Sequence, residues 1–354
     1  MRTLFTPNEH DFGRFPSTRY LGSKRRSATW IVHQLADLEY RTVLDAFGGT
    51  GSVAYAFKCA GKAVTYNDAL AFNHRVGRAL IENHAVRLAP DDLALVLGDA
   101  AGVEYGSFIA RTFAGVYFTD EENALLDRMA GNIRALDDPL KQALACFAVG
   151  QAALAKRPYN LFHRANLYLR LAEVERGFGN KSTWDRPFED HVRDFAAQAN
   201  GAVFDNGQRC TSLRKDALQL EGGFDLVYLD PPYVNARGPG VDYRDFYHFL
   251  EGFVQYDAWQ KLIDSASRHR RLRHEPNPWC DATTIADCFR AAFERFRRAV
   301  IAVSYRSDGI PSVAELETML HGVKRHVRVA WRDPKPYVLS KRRSTREVLL
   351  VGTD

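Results

Sequence analysis

Apolar and polar positions divide the chain into short buried runs separated by stretches of helical spacing. Thr42-Val43-Leu44-Asp45-Ala46-Phe47, Ala63-Val64-Thr65-Tyr66, Phe224-Asp225-Leu226-Val227-Tyr228-Leu229 and Ala299 to Tyr305 are apolar enough for strands covered on both faces. Ile31, Leu35 and Leu38 recur at helical intervals across Ser27 to Leu38, and Ser52 to Ala60 reads as a helix closed by Gly61. Strand, helix and a second strand ending at Asn67-Asp68 make a βαβ unit, which implies a parallel sheet. From about residue 70 to 155 the pattern is mostly helical, and 156–212 is less regular, rich in Arg, Asn, Gly and aromatics. His326 to Trp331 and Arg346 to Val351 read as the arms of a closing antiparallel pair. The expected class is α/β, with a mostly parallel sheet, an antiparallel C-terminal pair and an insertion.

Composition narrows this picture only a little. The 354 residues allow one large domain or two smaller ones, and 46% apolar with 26% charged residues is ordinary for a soluble globular protein. A net charge of +5 is compatible with a polyanionic partner. Cys59, Cys146, Cys210, Cys280 and Cys288 contain no CxxC pair, so neither a zinc site nor a disulfide framework is indicated. Their odd, scattered count fits a reducing cytoplasm. No run approaches the roughly 18 apolar residues of a membrane span. The N-terminus lacks the apolar core of a signal peptide.

Candidate chemistry begins where the third buried run stops. Asp230-Pro231-Pro232-Tyr233 should lie past a strand's carboxyl end, where ligands bind in open α/β sheets. The Asp230 carboxylate can accept a hydrogen bond from an –NH2 group. Pro231 and Pro232 have no N–H to donate and fix the direction of the preceding carbonyls, while Tyr233 offers a face for stacking. Phe47-Gly48-Gly49-Thr50-Gly51 sits between a strand and a helix, where glycine permits a tight turn and close approach of a ligand. It is not a phosphate-binding loop of the Gly-Lys-Ser/Thr kind, and it lacks the third glycine of the dinucleotide fingerprint. A cofactor with an adenosine but no pyrophosphate fits better. Asp68 closes the next strand, where an acidic residue can take both ribose hydroxyls.

These residues resemble the Dam-type class of DNA adenine methyltransferases. The resemblance rests on Tyr20-Leu21-Gly22-Ser23-Lys24, Asp45 to Gly51, Tyr66-Asn67-Asp68 and Asp230-Pro231-Pro232-Tyr233, in the family's order. It implies a Rossmann-like methyltransferase sheet at residues 1–104 and 213–354, with a DNA-reading region inserted at 105–212. It also implies S-adenosyl-L-methionine as cofactor, with no metal. By the resemblance, Tyr20 and Lys24 border the methionine part of that cofactor, and Asp45, Phe47, Gly48, Gly49 and Gly51 lie under it. Asp68 holds the ribose, Asp216 contacts the adenine amine, and Asp230 borders the methyl donor. Asp230, Pro231, Pro232 and Tyr233 carry methyl transfer to the N6 amine of a flipped adenine. Two departures stand out: Tyr20 replaces a Trp of close relatives of Dam, and the central region does not match the segment that reads GATC.

The insertion should read the DNA. Arg157, Asn160, His163, Arg164 and Asn166 interleave with Tyr159 and Phe162, and Arg and Asn are the residues that read guanine and adenine in the major groove. Lys341, Arg342 and Arg343, and the run Arg268 to Arg273, would suit phosphate contacts. Val234 to Tyr247, with Gly238 and Gly240, is a candidate lid. The expected partner is double-stranded DNA, with a separately encoded restriction endonuclease as a possible companion. The expected enzyme is a cytoplasmic monomer with no membrane attachment. Methylation of cytosine N4 or of RNA adenine, and a silent DNA-binding relative, are the alternatives. A nicotinamide-dependent dehydrogenase is disfavoured by the glycine spacing.

Overall fold

The computed structural model describes residues 12–173, 181–235, 241–333 and 345–354. Among them, β1 (Thr42–Asp45), β2 (Ala63–Asn67), β3 (Thr211–Leu213), β4 (Leu226–Leu229), β5 (Val300–Arg306), β6 (His326–Arg332) and β7 (Glu347–Thr353) form one sheet. Their order is β3-β2-β1-β4-β5-β7-β6. β1 runs parallel to β2 and β4, β2 to β3, and β4 to β5, whereas β7 is antiparallel to both β5 and β6. This is a Rossmann-like sheet, mostly parallel with an antiparallel C-terminal pair.

Alternation along the strands feeds two apolar layers. Val43, Leu226, Tyr228, Ala302, Leu349 and Val351 face one, and Leu44, Val227, Leu229, Ile301, Val303 and Leu350 face the other. All four residues of β4 are buried because both faces are covered, which is why its sequence reads as continuous rather than alternating. The first layer takes α1 (Ala28–Gln34), α2 (Ser52–Cys59), α3 (Ala71–Gly77), α4 (Asp120–Ala135), α5 (Pro139–Ala155) and α6 (Phe188–Ala202). It also receives α7 (Tyr243–Phe246) and α8 (His248–Val254), whereas α9 (Ile285–Arg295) and α10 (Val313–His321) pack on the second.

Local sequence explains the ends of these helices. Thr119 and Glu122 exchange hydrogen bonds across the start of α4, and Ser312 and Glu315 do the same for α10. Asp138 caps α5 ahead of Pro139, whose missing N–H costs nothing in the first turn.

Helices α4, α5 and α6 fall in the segment expected to read DNA, yet they share the core of the sheet's first layer. The division at 105–212 is therefore not a division of hydrophobic cores. β3 begins at Thr211, just inside that segment, and forms the sheet's edge. Three half-buried residues, Thr-Ser-Leu, gave its position no periodic signal. The chain fills β2 and β3 on one side of β1, and β4 and β5 on the other. Strand order thus reverses between β1 and β4, which opens a crevice at their carboxyl ends.

Candidate functional site

The carboxyl ends of four adjacent parallel strands converge on one cavity of about 430 Å³. β1 brings Asp45 and the turn after it, β2 Asn67 and Asp68, β3 the segment Arg214 to Asp216, and β4 Asp230 to Tyr233. Tyr20 to Lys24 and Trp279 complete its walls. Tyr20, Lys24, Asp45, Phe47, Gly48, Gly49, Asp68, Asp216, Asp230, Pro231, Pro232 and Tyr233, all singled out from sequence, line it. Gly51 lies behind the lining, as the left-handed N-cap of α2 at φ +76°.

The glycine turn is fixed from below. Gly48 N–H donates to the Asn67 carbonyl at 2.8 Å, and the Tyr66 hydroxyl donates to the Gly49 carbonyl at 2.7 Å. A Cβ on Gly48 would fall 2.0 Å from the Tyr66 ring, so only glycine lets the turn lie this close to β2. Gly49, at φ +50°, donates its N–H to Asp68 Oδ2 at 3.0 Å. Asp68 also accepts from Leu70 N–H at 2.9 Å and from Asn73 Nδ2 at 3.0 Å, which fixes its carboxylate at the cavity wall. Burial raises the Asp68 pKa to about 6 despite these bonds. Asn73 Nδ2 donates to the Tyr20 hydroxyl as well, tying the N-terminal segment to the same corner.

Asp45 carries one of the unpartnered buried polar atoms of the cavity wall, with Asn73 Oδ1 and Trp279 Nε1. It is 1% exposed, and its Oδ1 has no hydrogen-bond partner. Burial, and then the charge of Asp230, push its pKa up to about 8. Asp45, Asp68 and Asp230 are thus three of the acidic residues that line the cavity, at the ends of three adjacent strands, and a cationic ligand would favour their ionised forms.

Asp230 is held by a short network. The Tyr233 hydroxyl donates to Asp230 Oδ1 at 2.6 Å, and Lys24 Nζ lies 3.1 Å from the same oxygen. Lys24 Nζ donates to the Tyr233 hydroxyl at 2.6 Å and sits 4.8 Å from the centre of its ring. Lys24 therefore stands between Asp230 and Tyr233, the two ends of the tetrapeptide. Phe47 packs edge-on against Trp279 at 4.9 Å. The Asp216 carboxylate accepts from Leu218 N–H at 2.8 Å, capping a short turn at the cavity's edge.

Several contributors carried no local signal. Tyr20 stacks on Tyr247 with ring centres 4.3 Å apart and lies parallel to Tyr243 at 5.4 Å. Tyr243 and Tyr247 lie four residues apart in the candidate lid. Its central residues 236–240, with Gly238 and Gly240, lie outside the described residues. Glu251 accepts from the N–H groups of Ala71 and Phe72 at the start of α3, both at 2.9 Å. Glu347, on β7, approaches Lys24 Nζ at 3.8 Å. Only tertiary contact relates these positions. Among the described residues, Asp242, Asp245 and His274 each bring one potential metal-ligand atom within 4.8 Å of the others. Asp242 Oδ1 is already engaged in capping α7 through Arg244 N–H at 2.8 Å.

The expected base readers separate into two groups. Arg157 is 1% exposed. Its guanidinium donates to the carbonyls of Tyr117, Leu161 and Arg164 and to Asn166 Oδ1, and it stacks 4.4 Å from the Tyr117 ring. Asn166 is buried with it. The expectation that Arg157 reads a base edge is corrected, because its guanidinium is spent inside the protein, and the Asn166 Oδ1 is spent on Arg157. Arg164 is exposed, and His163 and Asn160 are half-buried. Tyr159 and Asn160 adopt φ +66° and +55°, which presents Tyr159 outward at 62% exposure. Arg270 and Arg271 mostly serve their own loop, donating to the Ser265 carbonyl and to Asp264. Lys341, Arg342 and Arg343 lie outside the described residues.

Comparison with known proteins agrees with this geometry. Residues 20–305 match the model of the D12 class N6 adenine-specific DNA methyltransferases. Type II methyltransferase M2.HphI of Haemophilus parahaemolyticus is 28% identical over 89% of this chain and 90% of its own length. Type II methyltransferase M.NlaIII of Neisseria lactamica is 24% identical over 84% and 86%. Type II methyltransferase M.FokI of Planomicrobium okeanokoites is 22% identical over 88% of this chain and 48% of itself. With the glycine turn, the three carboxylates and the Asp-Pro-Pro-Tyr segment brought to one cavity, the chain belongs to the D12 class of N6 adenine-specific DNA methyltransferases.

Proposed function

We propose that this enzyme methylates N6 of an adenine flipped out of duplex DNA, with Asp230 as the group that grips the amine and S-adenosyl-L-methionine as donor. The observation that carries the reading is the placement of Asp230 at the end of β4, across one cavity from Asp45, Asp68 and the glycine turn. The cavity's size lies within the range of about 300–1,000 Å³ usual for small-ligand sites. The unpartnered Asp45 Oδ1 and the charge of Asp68 and Asp230 fit a ligand bearing an ammonium and a sulfonium. Asp68 would hold the ribose hydroxyls, Phe47 and residues 48–51 the cofactor's underside, and Asp216 the adenine amine. When bound, the cofactor supplies an electrophilic methyl group on sulfur.

The chain's own residues do the rest. The N6 lone pair is delocalised into the adenine ring and is a poor nucleophile. Hydrogen bonds from the amine to Asp230 and to the Pro231 carbonyl would localise that pair and stabilise the positive charge that N6 gains as its bond to the methyl carbon forms and the donor's S–C bond breaks, its electron pair staying on sulfur. The Tyr233 hydroxyl fixes the rotamer of Asp230, while its ring offers a face to the flipped base. The amine then loses a proton to solvent, leaving N6-methyladenine.

Double-stranded DNA is the substrate of this reading, with the enzyme acting as a monomer. The names of its relatives favour a modification enzyme paired with a separately encoded restriction endonuclease. The test is transfer of labelled methyl from S-adenosyl-L-methionine to unmethylated genomic DNA, with modified-base mapping, for wild type and Asp230→Ala. N6-methyladenine in a defined sequence, lost in the variant, is the expected result. Label on cytosine, or full activity of the variant, would overturn the assignment.

A further inference from the structure

We propose that Lys24 is a stand-in for the substrate amine, and that Glu347 is the group that receives it when the target base enters. The inference rests on the reading of Asp230 as the amine acceptor. Lys24 Nζ occupies the acceptor that a donor amine needs: it lies 3.1 Å from Asp230 Oδ1, and is held there by its hydrogen bond to the Tyr233 hydroxyl at 2.6 Å and by the Tyr233 ring, whose centre is 4.8 Å away. The ammonium and an adenine N6 amine cannot share that position. Once methyl transfer begins, an ammonium held there would also repel the charge growing on N6.

Lys24 has somewhere to go. Its backbone is fixed in a tight turn, with the Ser27 N–H donating to the Lys24 carbonyl at 2.8 Å, so displacement falls to the side chain. Glu347 Oε1 lies 3.8 Å from Nζ, against 3.1 Å for Asp230, and is itself aimed by Ser27 Oγ at 2.9 Å. A small swing exchanges one carboxylate for the other without releasing the ammonium into water. The Lys24 side chain is 10% exposed, so a move to water would cross protein, whereas a move to Glu347 stays within the network. In the free enzyme the arrangement keeps the Asp230 carboxylate paired. With DNA bound, it delivers the same cation to a second anion. Glu347 is not part of the cavity lining and is a positioning residue.

The experiment is a double-mutant cycle with Lys24→Met and Glu347→Gln, read as kcat and KM for unmethylated genomic DNA at saturating cofactor, with Asp230→Ala alongside. Thermal melting of each protein establishes that it is folded. Lys24→Met is expected to lower KM for DNA, because no amine has to be displaced. Glu347→Gln is expected to raise KM by about tenfold in the native background and by less than about twofold in the Lys24→Met background, because its effect acts through Lys24. An equal effect of Glu347→Gln in both backgrounds, or a folded Lys24→Met that cannot turn over, would overturn the exchange while leaving Asp230 in place. An active Asp230→Ala would overturn the underlying reading instead.

Discussion

At the scale of single residues, the site is a balance of anions, and pH reports on it. Burial raises the Asp45 pKa from 3.8 to about 8. Between those values the unfolded chain has released a proton that the folded enzyme retains. Unfolding thus loses a proton, and the stability of the ligand-free enzyme falls as pH rises across that window. Asp68, raised to about 6, adds a shorter fall of the same sign. Asp45→Asn should remove most of the slope, and melting of both proteins across about pH 5 to 9 measures it. A cationic cofactor prefers the ionised Asp45, so its affinity should climb towards pH 8 in wild type and lie flatter in the variant, by calorimetric titration. A wild-type affinity independent of pH would refute this account. Tyr233→Phe separates two tasks of one side chain. The ring stays and the hydroxyl leaves Asp230, so kcat should fall by about tenfold with KM little altered. A change confined to KM would mean that the hydroxyl serves binding only.

Among elements, the turn between β1 and α2 decides whether the cavity exists. Its closeness to β2 depends on Gly48, because a Cβ there would collide with the Tyr66 ring. Gly48→Ala should cost about 1–3 kcal/mol, as overpacking does, and should also weaken cofactor binding by moving the turn. Gly61, at φ +71° with nothing within 4 Å of its would-be Cβ, offers the comparison. Gly61→Ala pays only for left-handed backbone, about 1–2 kcal/mol, and should bind cofactor normally. Urea unfolding with cofactor titration distinguishes the two. Equal loss of binding in both would show that the closeness of the turn is not what matters. The buried strands and the glycine turn were legible in the sequence because both follow local rules: a run of apolar residues, then residues that tolerate a tight bend. β3 was not, since a half-buried edge strand of three residues has no pattern of its own.

Over the whole molecule, one core joins the sheet to the helices of the inserted segment, and this sets apart the residues that hold it from those that face outward. Arg157→Met should destabilise the fold by about 1–3 kcal/mol, because it leaves buried carbonyls without donors. Arg164→Ala should melt like wild type but bind DNA more weakly, with the salt dependence of binding reduced by about one ion. Melting curves and DNA titrations at several salt concentrations check both, and the reverse pattern would restore Arg157 as a DNA contact. From sequence the two arginines looked alike, two basic residues among aromatics. What the sequence determined by itself was whatever acts between neighbours along the chain: the buried strands, the glycine turn, Asp68 at a strand end and the Asp-Pro-Pro-Tyr segment. The tertiary structure alone decided which carboxylates share a cavity, that Lys24 lies between Asp230 and Glu347, that Tyr20 stacks against Tyr243 and Tyr247, and that Arg157 faces inward. The physical reason is that burial, and pairing between charges remote in sequence, are properties of a side chain's surroundings, and these exist only once the chain has packed.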